Sequence, residues 1–234
     1  MTSIEEYAET LHKVAKRYNI DIEEEFAISI ERVQMEVRRK VREYLAAKGY
    51  KVDKDKVVEI ARKVYDKIGF HTESDEIRSI LLTRGIDDEK YIEVLIGQAI
   101  LHELTSLLPD KDKGIVNKTA KCPICGTETD LGYIDTEGNI WLYCPLCGYT
   151  WKQSTLSAPV CPYCGLSDKN MIGVLKDKRN PSVVVMLCSN CKHYWILVDE
   201  RYTKRVPRDF YPMFRRKAEK LLASLPKDFI EAGQ

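Results

Sequence analysis

The chain has 234 residues, with 37 Lys+Arg against 36 Asp+Glu, a net charge of +1, and 44% hydrophobic residues. That length suits one large or two small domains, and the near-neutral total speaks against a protein that coats polyanions with its whole surface. No run of 18 apolar residues occurs, so no membrane span is expected; with no signal-peptide pattern either, the expected location is the cytoplasm.

The first half reads as helices. Ile4, Tyr7, Leu11, Val14 and Tyr18 recur at helical spacing. Asp21-x-x-Glu24 has the shape of a capping box, and the acidic first turn Glu23–Glu25 suits the positive end of a helix dipole. Ile22, Phe26, Ile30, Val33, Val37, Val41 and Tyr44 then follow on one stripe until Gly49, a helix stop. A third helix is expected from Asp53 to Ile68, ended by Gly69, and a shorter one near Ser74–Leu82. A fifth runs from Asp87 to Leu108, with Tyr91, Val94, Leu95, Gln98, Ala99, Leu101 and Leu104 as its expected inner face and Pro109 as its end. These stripes predict a helical bundle over residues 1–109. Residues 110–121 are polar and without period, and read as a linker.

Beyond the linker lie all eight cysteines, in four Cys-x-x-Cys pairs: Cys122/Cys125, Cys144/Cys147, Cys161/Cys164 and Cys188/Cys191. Three read Cys-Pro-x-Cys-Gly and the fourth reads CSNCK. Two thiolates on one tight turn can reach a single ion, and four thiolates complete a closed tetrahedral Zn²⁺ site. The pairs also form a duplication. Each unit has a pair, a polar turn, an apolar strand-like run (IWLY, VVVML), a second pair, and a Trp four residues on, Trp151 or Trp195. The expectation is two sequential zinc ribbons over residues 122–157 and 158–200. Cys122, Cys125, Cys144 and Cys147 would hold one ion, and Cys161, Cys164, Cys188 and Cys191 the other. Interleaved pairing and a disulfide framework are the alternatives; disulfides belong to small secreted domains.

Residues 201–234 form a basic tail. The stretch 201–217 carries seven basic residues and one acid, with Tyr202, Phe210, Tyr211 and Phe214 interleaved, and 207–224 has helical spacing. Basic plus aromatic is the composition that tracks phosphates and stacks bases, so Lys204, Arg205, Arg208, Arg215 and Arg216 are candidate nucleic-acid or partner contacts. The blander expectation is an amphipathic helix with its charges in water.

Other chemistry finds little support. His102-Glu103 begins a zinc-protease motif, but Ser106 stands where the second His is needed. His193 lies two residues after Cys191, yet four thiolates already complete a site. The two tryptophans are expected to pack on the metal turns. A dithiol redox role for Cys-x-x-Cys lacks its usual βαβ context. No phosphate loop or dinucleotide fingerprint is present.

The stretch CPICG…GNIWLYCPLCGYTWKQSTLSAPVCPYCG, closed by CSNCKHYW, resembles the formate dehydrogenase accessory proteins of the FdhE family over about residues 118–196. The first half is similar only in being helical, and the basic tail lies outside the resemblance. The resemblance implies an α+β architecture: an all-α bundle, two tandem rubredoxin-like ribbons and a short C-terminal helix. It also implies a non-catalytic accessory factor that binds two zinc ions, or iron in their place, and engages the catalytic subunit of a formate dehydrogenase during maturation. The competing reading is a zinc-ribbon protein that binds nucleic acid or ribosomes through 201–217.

Overall fold

The computed structural model describes residues 3–109, 115–176, 178, 181–203 and 206–223. It holds helices ahead of a sheet, and divides into two compact units. The helical unit comprises residues 1–13, 22–112 and 146–148; the sheet unit comprises 14–21, 113–145 and 149–234.

Helix α1 spans Ile4–Tyr18 and α2 spans Glu24–Lys48. The predicted capping box is not formed. The helix starts two residues later than Asp21 as cap would require: Glu23 is the N-cap and makes no side-chain cap bond, and Glu24 turns its carboxylate to His12 Nδ1 at 3.1 Å. The far end behaves as read: Gly49 takes the left-handed conformation, φ 63°, and its N–H reaches Ala46 O. Helices α3 (Val57–Ile68) and α4 (His71–Leu82) follow. Helix α5 (Glu89–Ser106) starts at Asp88, whose carboxylate accepts from the N–H of Lys90 and Tyr91.

The core of this unit joins Val33, Val37 and Val41 of α2, Val57 and Val64 of α3, Ile77 and Leu81 of α4, and Ile92, Ile96 and Ile100 of α5. The inner face expected for α5 holds in part, since Leu95, Ala99 and Leu104 are buried. Tyr91 and Val94 are 42% and 50% exposed, while Ile92, Ile96, Ile100 and Glu103 turn inward. Apolar residues recur on more than one side of the helix, so its spacing alone does not rank the faces; tertiary pairing does. Buried Glu103 receives Arg42 Nε at 2.8 Å and Nη2 at 2.7 Å. Gln34 Nε2 donates to Leu95 O at 3.0 Å.

The sheet unit has six strands: β1 Leu131–Ile134, β2 Asn139–Tyr143, β3 Thr150–Thr155, β4 Ile172–Lys176, β5 Val183–Cys188 and β6 Tyr194–Asp199. Their order is β3-β2-β1-β6-β5-β4. Every neighbour pair is antiparallel except β1 and β6, which run parallel with Leu131 opposite Ile196 and Ile134 opposite Asp199. The two cysteine units thus share one continuous sheet, joined by the first strand of one and the last strand of the other.

At the turn between β1 and β2, Asp135 accepts from the backbone N–H of Glu137 and Asn139 and from the side chains of Asn139 and Trp141, all within 2.9 Å. Part of the expected linker belongs to this sheet. Val116 bridges Lys152 of β3, and Asn117 N donates to Lys152 O at 2.9 Å, covering that edge strand. Residues 110–114 lie outside the described part of the chain.

A 3₁₀ turn over Arg208–Phe214 leads into helix α6, Arg215–Leu222. Its aromatics are core, with Phe210, Tyr211 and Phe214 buried. Tyr211 meets Tyr133 and Tyr143, with ring centroids 5.7 and 6.3 Å apart, and Phe214 meets Tyr18 at 5.3 Å.

Candidate metal centres

Each Cys-x-x-Cys turn is built the same way. The N–H of the first cysteine is bonded by the carbonyl five residues on: Thr127 for Cys122, Tyr149 for Cys144, Leu166 for Cys161 and His193 for Cys188. The residue after the second cysteine sits in the left-handed region: Gly126 at φ 75°, Gly148 at 70°, Gly165 at 75° and Lys192 at 65°. Glycine adopts that geometry freely, whereas a side chain there costs energy. The recurring Gly of three turns is therefore a conformational requirement, and the fourth turn meets it with a lysine.

The turns bring the eight sulfurs into two groups in sequence order: Cys122, Cys125, Cys144 and Cys147, then Cys161, Cys164, Cys188 and Cys191. Within each group the ligand atoms all lie within 4.8 Å of one another, and no disulfide joins the eight cysteines. Four sulfurs about 2.3 Å from one ion stand about 3.8 Å apart. Cys125 and Cys144 are 3.5 Å apart, Cys161 and Cys191 3.5 Å, and Cys164 and Cys188 3.6 Å. The spacing and donor chemistry therefore fit a four-sulfur metal site in both groups.

Donors back the sulfurs. The N–H of Ile124 reaches Cys122 Sγ at 3.4 Å, and Asn190 Nδ2 reaches Cys164 Sγ at 3.6 Å. Burial pushes the Cys161 and Cys191 thiols up. For Cys164 a burial penalty is outweighed by the Asn190 amide, the Leu166 N–H and neighbouring thiols, and the group falls to about 6. A set in which some thiols resist ionisation needs a cation before all four become thiolates.

The two groups differ in surroundings. In the first, Cys122, Cys144 and Cys147 are buried; in the second, Cys164 is exposed and Cys191 partly so. Thr105 Oγ1 on α5 bonds Cys147 O, and the His102 ring lies so close to Gly148 that a Cβ there would stand 2.8 Å away. His193 supplies no ligand atom to the second group: it stacks on Tyr163 at 4.3 Å, with Nδ1 3.2 Å from Cys191 O. Trp151 and Trp195 are both wholly buried, with Trp151 Nε1 donating to Thr119 O. Neither has a face open to a base.

Arg208, Arg215 and Arg216, three of the candidate contacts of the basic tail, have partners within the chain, while Arg208 and Arg216 remain exposed. Arg215 grips both oxygens of Asp130, with Nη1 2.7 Å from Oδ2. Arg208 lies 4.2 Å over the Tyr133 ring and 3.4 Å from Glu200. Arg216 donates to Asp21 O, and Lys217 to Ser182 Oγ at 3.0 Å. The segment is still amphipathic as expected: Phe210, Tyr211, Phe214 and Ala218 are buried, while Arg208, Arg216 and Lys220 are exposed. Lys204 and Arg205 lie outside the described residues. Asp130 lies 85 residues from Arg215, too far along the chain to be read as its partner, whereas Glu200 stands only 8 residues before Arg208 and was the signal within reach.

Fold and site together define a class: helices ahead of a six-stranded sheet unit, with two tetracysteine groups able to hold metal ions. No helix among the described residues is long and apolar enough to cross a membrane. Among solved structures, the chain is similar to the FdhE protein from Pseudomonas aeruginosa, with 16% identity, 92% of this chain and 84% of that chain covered, and a TM-score of 0.44. No family model and no curated protein matches the sequence.

Proposed function

We propose that the protein is a non-catalytic accessory factor of the formate dehydrogenase type. Its eight cysteines would hold two metal ions in rubredoxin-like ribbons, and it would act in the cytoplasm on a protein partner. The observation that carries the reading is that every thiol in the chain falls into one of two groups of four. Four thiolates leave no open position for substrate or water, the mark of a structural rather than a catalytic site. Zn²⁺ and iron both suit sulfur ligands of this kind; a bound ion would supply cross-linking of the turns. The cysteine stretch that resembles the FdhE proteins nominates the partner, the catalytic subunit of a formate dehydrogenase.

The alternative, nucleic-acid or ribosome binding through 201–217, has less support. Arg208, Arg215 and Arg216 each already face a ring, a carboxylate or a carbonyl, and phosphate binding would have to break those contacts. One experiment separates the two. Metal-loaded protein is mixed at about 0.15 M salt with an isolated formate dehydrogenase catalytic subunit, and separately with RNA. A complex with the subunit at about 1 µM or tighter is expected, with RNA weak. No subunit complex together with sub-micromolar RNA binding, lost in the Arg208, Arg215 and Arg216 alanine triple variant, would reverse the reading.

A further inference from the structure

We infer that the two tetracysteine groups are unequal. The first is a permanent structural site, and the second is an exchangeable one that opens at Cys164 and gives up its ion to thiol reagents and competing chelators. The inference rests on the metal-binding reading above.

Two independent observations carry it. The first is access. In the second turn of the first group, residues 144–149, none is exposed. In the matching turn of the second group, residues 188–193, all but Cys188 and Cys191 are exposed, and on the facing turn Cys164 and Gly165 are exposed too. Cys164 is the one exposed cysteine of the eight, the place where a chelator or an electrophile would first approach; in the first group Cys122, Cys144 and Cys147 are all buried. Ion transfer to a competing ligand proceeds one thiolate at a time, so the most exposed sulfur sets the entry point.

The second observation is strain. Three of the four turns place glycine in the left-handed position, and the turn closing the second group places Lys192 there, at φ 65°. A side chain in that region is held against its own backbone preference. The closed turn imposes this conformation through the Lys192 N–H to Cys188 O, and a turn that opened as its ion left would let Lys192 relax. Exposure speeds attack on the site, and strain weakens its hold.

The test uses the full chain, loaded with Zn²⁺ under anaerobic conditions. Release to the indicator 4-(2-pyridylazo)resorcinol is followed while N-ethylmaleimide is added, and the labelled cysteines are mapped by peptide mass spectrometry. Two phases of one Zn²⁺ each are expected, the fast one at least about tenfold quicker, with Cys164 labelled first and Cys122, Cys144 and Cys147 last. Lys192→Gly, which removes strain without covering the site, should slow the fast phase about fivefold and leave the slow phase as it was.

A single phase releasing both ions, labelling that begins in the first group, or a fast phase indifferent to Lys192→Gly would overturn the inference while leaving two-metal binding intact. Protein that takes up no Zn²⁺ at all would instead remove the metal reading beneath it.

Discussion

Gly132 is the tightest point of the sheet. It sits in β1 opposite Leu142 of β2 and Leu197 of β6. A Cβ at this position would stand 2.1 Å from Trp141 O and 3.0 Å from Leu197 Cδ2. Carbon–oxygen contacts normally begin at about 3.3 Å, so the methyl of Gly132→Ala overlaps the carbonyl by about 1.2 Å. Leu197 can swing aside, but Trp141 O is backbone. Relief therefore requires β1 to part from β2. Overpacking alone costs about 1–3 kcal/mol, and each ladder bond lost adds about 1 kcal/mol, for a total of about 3–4 kcal/mol. Gly126→Ala is the control: φ is 75° and nothing lies within 4 Å, so only backbone strain of about 1 kcal/mol applies.

All three tryptophans, Trp141, Trp151 and Trp195, belong to the sheet unit. Urea unfolding of the Zn²⁺-loaded protein followed by tryptophan fluorescence therefore reports this unit, and linear extrapolation supplies the difference. A Gly132→Ala cost below about 1 kcal/mol, or equal to that of Gly126→Ala, would refute the steric argument.

Elemental analysis should find two metal ions per chain, and a strong chelator should abolish tryptophan-detected structure while leaving helical circular dichroism from the first half; one ion per chain would contradict the two-group reading. Alanine replacement of Arg215 and Asp130 in a double-mutant cycle should give a coupling of about 1 kcal/mol, the value for a bidentate but half-exposed pair, and a coupling near zero would return these charges to solvent. Burial pushes Tyr133 up to about 12, against a smaller opposing pull from Arg208, and pushes Tyr163 and Tyr211 up as well. Their neutral forms are favoured by folding, so the stability they contribute is complete below about pH 10 and is lost as pH rises through their folded values. A tyrosinate absorbance titration should therefore show a first wave near pH 10 and a later one coincident with unfolding; a single wave with circular dichroism unchanged would refute this.

What could be read in the sequence follows the range of the forces involved. The stripe of α2 and its glycine stop were legible because both are set within a few turns of helix. The cysteine groups were legible because a Cys-x-x-Cys turn is local and its duplication is visible at fixed spacing. The capping box failed because the helix begins at Glu24, two residues later than Asp21 as cap would start it, and Glu24 faces His12, twelve residues upstream. The face of α5 was legible at Leu95, Ala99 and Leu104 but not at Tyr91 and Val94, because a helix with apolar residues on several sides takes its orientation from neighbours. The aromatics of 208–214 looked like a stacking platform only while Tyr133 and Tyr143, against which they pack, stood far away in the chain. Likewise, nothing local announces that β1 will lie beside β6.

That last pairing sets an order on synthesis. Strands β1, β2 and β3 emerge first and can pair in turn, but the other flank of β1 waits for residues 194–199, after both tetracysteine groups have been translated. Until then Leu131, Tyr133 and Ile134 border an open edge, the kind of surface that recruits foreign strands. Parallel closure between segments so distant in the chain is also slow, since loop entropy must be lost before any contact forms. The nascent first half of the sheet is therefore the aggregation-prone species of this protein. Anything that delays β6, including failure of the second tetracysteine group to close beside it, lengthens the time that edge stays bare.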